Sequence, residues 1–200
     1  MTRAAVVLAA GAGSRLGGLP KALLMHGERS FLELIVDRVR EGGPVIVVVG
    51  PPFGDAVADH ARTLGEHVHV VVNPEPARGM ASSIALGFDA LQPWSRPGID
   101  DAWLWPVDHP FIRQDTLEAI GKAMGRHDVA RPVFRGSDGA VRGGHPPLIS
   151  RRSWLQLAGC DRVEGGARAV ISTLDVVDVP VDDPGVVRDI DTPEDREALS

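Results

Sequence analysis

Cysteine is nearly missing from this chain. Cys160 stands alone among 200 residues, so no internal disulfide can form and the fold must rest on its own core. A reducing cytoplasm is the expected setting. Cations are also short, with 21 Lys and Arg against 27 Asp and Glu and a formal charge of −6. Proteins that track phosphate backbones gather basic residues, so no nucleic-acid partner is expected, although local charge can oppose the global balance and hold a small anion. No stretch approaches the roughly 20 apolar residues of a membrane span, and the longest β-rich run, Val45 to Val49, is bounded by glycine and proline. Arg3 and the run Ala4 to Ala10 imitate a short signal peptide. That run is at the minimum length, and cleavage beside Ala10 or Ala12 would remove the strand that leads into a glycine-rich loop, so the reading is rejected and a soluble protein without a membrane partner is expected. Repeats, low-complexity tracts and linkers are absent as well. The chain reads as one domain, 1–200, long enough to bury roughly 70% of its unfolded surface.

What is present is an alternation of short β-branched runs with helical patterns, which predicts a layered α/β domain on a mainly parallel sheet. Ala5 to Leu8, Val45 to Val49 and Val68 to Val72 suit buried central strands. Between them, Phe31 to Arg40 places Leu32, Ile35, Val36 and Val39 on one helical face, and Asp55 to Leu64 forms a second helix closed by Gly65. Gly79 to Phe88 starts with small and polar residues and turns apolar, as a helix N-terminus does. Ala102 to Val107 is a further strand ending in Asp108-His109-Pro110, followed by a helix from about Thr116 to Met124 and a strand from Val129 to Phe134. Arg135 to Gly144 has no period and reads as a hairpin or loop. A short strand, a helix around Trp154, a helix opened by Gly165-Gly166 and a strand from Val176 to Val181 come next. Asp182-Asp183-Pro184-Gly185 then turns the chain into a last strand, Val186 to Ile190, and Asp191 to Asp195 begins a final helix.

The first strand runs straight into Gly11-Ala12-Gly13-Ser14-Arg15-Leu16-Gly17-Gly18-Leu19-Pro20-Lys21. Gly11 and Gly13 can take backbone conformations closed to residues with a Cβ, so several N–H groups can converge on phosphate oxygens while Arg15 and Lys21 add full charge. Two better-known phosphate loops are excluded by what is missing. A dinucleotide fingerprint needs a third glycine where Leu16 stands, and strand two ends in Gly50-Pro51-Pro52 without the ribose-binding acid. A P-loop needs Lys and Ser or Thr after Gly18, where the chain reads Leu19-Pro20. Ser82 lacks the glycine two residues on that a nucleophile elbow requires. His67 and His69 alternate with valine on a half-exposed strand with no third ligand nearby, and Cys160 has no CxxC partner. Trp103 and Trp105 share one strand face as packing residues.

Asp108, at the carboxyl end of a central strand, is directed at the crevice where open α/β sheets bind ligands. Oxygen donors there suit Mg²⁺, which takes one or two protein carboxylates plus substrate phosphates. Asp191, or less favourably Asp189, at the end of the last strand would be the second carboxylate.

Leu8-Ala9-Ala10-Gly11-Ala12-Gly13-Ser14-Arg15-Leu16-Gly17, followed by Lys21, resembles the signature of nucleotidyltransferases that use a nucleoside triphosphate, in particular the molybdenum-cofactor nucleotidyltransferase-like family. Asn73-Pro74 with Gly79-Met80-Ala81-Ser82-Ser83, then Asp108-His109-Pro110, Gly144-His145-Pro146, Gly165-Gly166-Ala167-Arg168 and Asp189 to Asp195, look like that family's motifs in their usual order, nearly end to end. The resemblance implies a single-domain Rossmann-like three-layer sandwich of the nucleotide-diphospho-sugar transferase type. It implies that Leu8, Ala10, Gly11, Gly13, Ser14, Arg15, Lys21, Asn73, Gly79 and Ser82 border the nucleotide, and that Arg15, Lys21 and Asp108 are catalytic. Mg²⁺ would sit on Asp108 and Asp191, and His145 either contacts the acceptor or only shapes its loop. Ala10, where the guanylyl-transferring branch tends to have glycine, makes the chain similar to the cytidylyl-transferring branch, whose acceptor is molybdopterin. The implied reaction moves CMP from CTP to a phosphorylated small-molecule acceptor and releases pyrophosphate, with room for docking on a molybdoenzyme maturation partner. Three departures stand out: His109 replaces the more usual glutamine, Ala158-Gly159-Cys160-Asp161 is a looser Gly-Asp pair, and the stretch after Lys21 is similar to sugar-phosphate nucleotidylyltransferases. Pterin, sugar phosphate and polyol phosphate therefore stay open as acceptors, beside a regulator that binds nucleotide without turnover.

Overall fold

The computed structural model describes residues 2–11, 13, 18–39, 43–95, 98–192 and 194–195. In chain order the first half contains β1 (Thr2–Leu8), β2 (Met25–His26), β3 (Arg29–Ser30), α1 (Phe31–Val39), β4 (Val45–Val49), α2 (Gly54–Arg62), β5 (Val68–Val72) and α3 (Met80–Ala90). The second half contains β6 (Ile99–Pro106), α4 (Gln114–Ala123), β7 (Val129–Arg135), β8 (Val141–Gly143), β9 (Leu148–Ser150), α5 (Trp154–Ala158), α6 (Gly166–Ser172) and β10 (Val176–Pro180). The main sheet runs β10-β7-β9-β6-β1-β4-β5, with β8 paired to β7. All of its pairings are parallel except those of β8 and β9. This is the layered α/β domain on a mainly parallel sheet expected from the alternating pattern, in the Rossmann-like three-layer form that the resemblance implied.

The period of two along β1 decides which layer each residue joins. Ala5 and Val7 pack with Phe31, Ile35, Val57, Leu117 and Ile120, so α1, α2 and α4 cover one face. Ala4, Val6 and Leu8 pack with Ile84, Phe88, Trp154, Leu157 and Val170, so α3, α5 and α6 cover the other. With both faces covered, β1 and β4 are buried almost throughout, which is why they read as continuous apolar runs. Gly87 lets α3 approach closely, since a Cβ there would lie 2.3 Å from Val6 Cγ1. Trp103 and Trp105 share one sheet face with their ring centroids 6.4 Å apart.

Arg135 to Gly144 forms the β7–β8 hairpin. His69 packs on Trp94 at 5.0 Å, and no group of three or more ligating side chains capable of holding a metal occurs among the described residues. Cys160 is buried with its thiol on the Ala81 carbonyl, and burial, then Asp161, pushes it up to about 11. No helix of the described residues is long and apolar enough to cross a membrane.

The expected last strand, Val186 to Ile190, is not a strand. Pro184–Val186 is a 3₁₀ turn, because Pro184 has no N–H for a ladder and the Asp183 carboxylate takes the Gly185 N–H at 3.0 Å. Buried Asp183 also accepts from Arg113 N at 2.9 Å and from the Thr116 hydroxyl at 2.8 Å, so it caps α4 from far along the chain. Thr192 and Asp195 form a reciprocal capping box, Thr192 N donating to Asp195 Oδ2 at 2.8 Å and Asp195 N to Thr192 Oγ1 at 3.2 Å. Of the expected final helix, Glu194 and Asp195 are helical, and the residues beyond lie outside the described ones.

Candidate functional site

Chain order reverses at β1: the first crossovers add β4 and β5 on one side, and the chain then returns to place β6 on the other. Crevices at such switch points are where α/β sheets take ligands. Here the carboxyl ends of β1 and β6 open into a crevice of about 360 Å³. Leu8, Ala10, Gly11 and Gly13 line one wall, Pro106 and Asp108 another, and Lys21 and Asp191 close it, with Met80 and Ser83 at the start of α3 opposite. Gly13 has φ +57°, and a Cβ there would meet the Leu19 carbonyl oxygen at 1.9 Å, so no other residue fits this turn. Gly18 N closes the loop by donating to Gly13 O at 3.0 Å. Ser14 and Arg15 lie outside the described residues.

The charged centre of the crevice joins three distant parts of the chain. Lys21, in the 3₁₀ turn Lys21–Leu23, donates from Nζ to Asp108 Oδ2 at 3.1 Å and to Asp191 Oδ1. Asp191 arrives there through its neighbour: buried Ile190 donates its N–H to the Asp108 carbonyl at 3.0 Å, laying the C-terminal segment along the end of β6. Asp189 is exposed, so the structure joins Asp191 to Asp108 and the lysine and leaves Asp189 outside. Asp191 reaches the site from irregular backbone and not, as expected, from a strand end. Burial works against the Lys21 charge, but the hydrogen bond to Asp191 and the nearby Asp108 outweigh it and hold the ammonium above its ordinary 10.5. The other oxygen of Asp108, Oδ1, is buried without a hydrogen-bond partner.

His109 and His145 pack together beside Asp108, ring centroids 4.9 Å apart, and His109 Nε2 lies 3.9 Å from Asp108 Oδ1. His145 N donates to the Val186 carbonyl at 2.7 Å, and its Nδ1 is buried without a partner. Burial, and then His109, lower the His145 imidazole to about 4 against the pull of Asp108. It therefore stays neutral at physiological pH, and it is not among the residues that line the crevice.

Asn73 and Ser82, expected to border the nucleotide, are joined in one hydrogen-bond network at the start of α3. Buried Asn73 donates from Nδ2 to both Ser82 Oγ and Ser83 Oγ at 2.9 Å and accepts from Glu75 N at 3.0 Å, while Ser82 Oγ donates to Gly79 O at 2.8 Å. Both residues line a neighbouring pocket of about 250 Å³, and Ser83 is the serine on the crevice. The network pins the first turn of α3 to the end of β5, with Gly79 at φ +98° redirecting the chain into the helix. Free N–H groups at such a helix start favour an anion. Pro76, Met80 and Ser83 escaped the sequence reading; the one available signal was helical spacing, which sets Ser83, not Ser82, one turn after Met80.

Set beside known proteins, the chain is 30% identical to the nicotine blue oxidoreductase of Paenarthrobacter nicotinovorans over 197 residues, 94% of this chain and 92% of that one. It is 29% identical to the molybdenum cofactor guanylyltransferase of Rhodopseudomonas palustris over 120 residues, 60% of this chain and 53% of that one. The crystal structure of Rv0371c from Mycobacterium tuberculosis matches with a TM-score of 0.74 and 27% identity, covering 100% of this chain and 97% of that one. A second structure of that protein, in complex with manganese, matches with a TM-score of 0.68 and 25% identity. The model of the MobA-like NTP transferase domain matches residues 5–179, from the middle of β1 almost to the end of β10. The crevice at the β1–β6 switch point is thus that of a MobA-like NTP transferase domain, the family to which this chain belongs.

Proposed function

We propose that the protein transfers a nucleoside monophosphate, CMP from CTP, to a phosphorylated acceptor of the molybdopterin type and releases pyrophosphate. The observation that carries this reading is the meeting of Lys21, Asp108 and Asp191 at the mouth of the glycine loop. An acceptor phosphate oxygen is nucleophilic at neutral pH, so no dedicated base is needed. The acceptor oxygen forms a bond to the α-phosphorus as the bond from that phosphorus to the β-phosphate oxygen breaks, and pyrophosphate departs with the electron pair. Lys21 and the amides around Gly11 and Gly13 neutralise the triphosphate, and the start of α3 faces the same crevice. Ala10, buried just after β1 and on the crevice wall, is where the chain resembles the cytidylyl-transferring branch, which supports CTP as the donor.

The site also fits a divalent ion. Asp108 Oδ1 is a buried oxygen without a partner, and two carboxylates here already share one cation, the Lys21 ammonium. Asp108 and Asp191 would hold Mg²⁺, which when bound supplies Lewis-acid neutralisation of phosphate charge. A mycobacterial protein similar to this chain has a structure in complex with manganese, which supports a divalent ion as a ligand of this fold.

A second reading is favoured by one relative: likeness to an oxidoreductase extends over nearly the full length of both chains. A panel separates the two. Nucleoside triphosphates are crossed with molybdopterin, sugar phosphates and polyol phosphates, scored for pyrophosphate release, and run beside an assay for redox turnover of nicotine blue. Pyrophosphate release with CTP and molybdopterin is the expected result. Release with a sugar phosphate alone would move the acceptor, tight CTP binding without release would indicate a regulator, and redox turnover of nicotine blue without release would favour the oxidoreductase.

A further inference from the structure

Lys21 and a divalent ion on Asp108 and Asp191 compete for one place. The ammonium donates to Asp108 Oδ2 at 3.1 Å and to Asp191 Oδ1, with the lysine side chain only 15% exposed. An ion on these two carboxylates, whether on the oxygens that Lys21 holds or on the unpartnered Asp108 Oδ1, would set two positive groups close together where water screens them poorly. Yet nucleotidyl transfer needs this lysine on the triphosphate. Both requirements are met if the ammonium has two stations, and the crevice provides them, since Gly11 and Gly13 line the same space as Lys21. Four methylenes make the swing a change of side-chain rotamers with no backbone movement.

We infer that Lys21 is a resident counter-ion which keeps the metal site closed in the nucleotide-free protein and leaves it when a triphosphate draws the ammonium away. Divalent metal therefore binds poorly alone and well together with nucleotide, and by linkage each strengthens the other. The first station stands on the contacts just given; the second rests on the nucleotidyl-transfer reading.

The test uses the metal-stripped full chain, with Mn²⁺ added and the free ion followed by electron paramagnetic resonance. Without nucleotide, Lys21→Gln is expected to bind Mn²⁺ at least about tenfold more tightly than the wild type, the scale of losing one like charge at close range. Lys21→Arg, which keeps the charge, stays weak. Equal affinities for wild type and Lys21→Gln overturn the proposal. Lys21→Gln removes the ammonium that Asp108 and Asp191 share, so its fold is checked by circular dichroism. If it does not fold, the ¹⁵Nζ resonance of Lys21 in the wild type decides. A hydrogen-bonded, slowly exchanging ammonium in the free protein that is lost as Mg²⁺ occupies the site supports the proposal. Its absence from the free protein, or its persistence beside bound Mg²⁺, overturns it. Failure of CTP to bind any variant, with Lys21→Gln still gaining Mn²⁺, would sink nucleotidyl transfer and leave the counter-ion standing; the reverse pattern would do the opposite.

Discussion

Lys21 is proposed as a phosphate ligand because it closes a glycine-rich loop, but its pairing with two acids is a fact of space, not of spacing. Its ammonium is held above the ordinary lysine value, so the stability it confers is fully present below that value and is lost as pH rises through the raised one. Thermal midpoints by circular dichroism should therefore show no contribution from this pair to pH sensitivity between about pH 7 and 9. Above about pH 10.5 the wild type should lose stability faster than Lys21→Met. Parallel losses in the two proteins at high pH would count against the ion pair. Asp108 was readable as an acid at a strand end, whereas the choice of Asp191 over Asp189 depends on a single backbone bond, from Ile190 N to the Asp108 carbonyl. Local sequence holds no trace of that bond.

At the scale of elements, the strands and helices predicted from periodicity are found within a few residues of their expected ends, since side-chain period and glycine or proline stops are local properties. The segment after β10 departs from this. Val186 to Ile190 has strand composition, but Asp183 is occupied in capping α4 and folds Pro184 to Val186 into a turn. Asp183→Ala should lower stability by about 1–3 kcal/mol, through two lost capping bonds and a buried donor left unpaired. Urea unfolding measures this, and Asp183→Asn, which keeps an acceptor oxygen, should lose less. If Asp183→Ala matched the wild type, the capping role would be refuted. The same change should also weaken nucleotide binding, because Val186 and Ile190 carry the chain from this turn to Asp191.

For the whole molecule, one sheet separates two apolar layers, with Trp105 in one and Trp154 in the other. Strands β1, β4 and β6 contribute alternate residues to both layers, so neither can melt while the other keeps its wall. Urea unfolding followed by tryptophan fluorescence and by far-ultraviolet circular dichroism should give coincident transitions. Separated midpoints would mean that the two layers are independent units. The family was legible at this scale because its motifs are short and ordered along the chain, and the matching family model covers residues 5–179.

By itself the sequence determined the succession of strands, loops and helices and the family, because each depends on residues adjacent in the chain. Only the tertiary structure decided that Asp191 is the acid beside Asp108, that Ser83 faces the crevice while Ser82 and Asn73 brace it, and that a lysine lies between the two carboxylates. Those contacts span separations of 87 and 170 residues. Strand order and the packing of Ile190 set them, and neither is written in any local pattern.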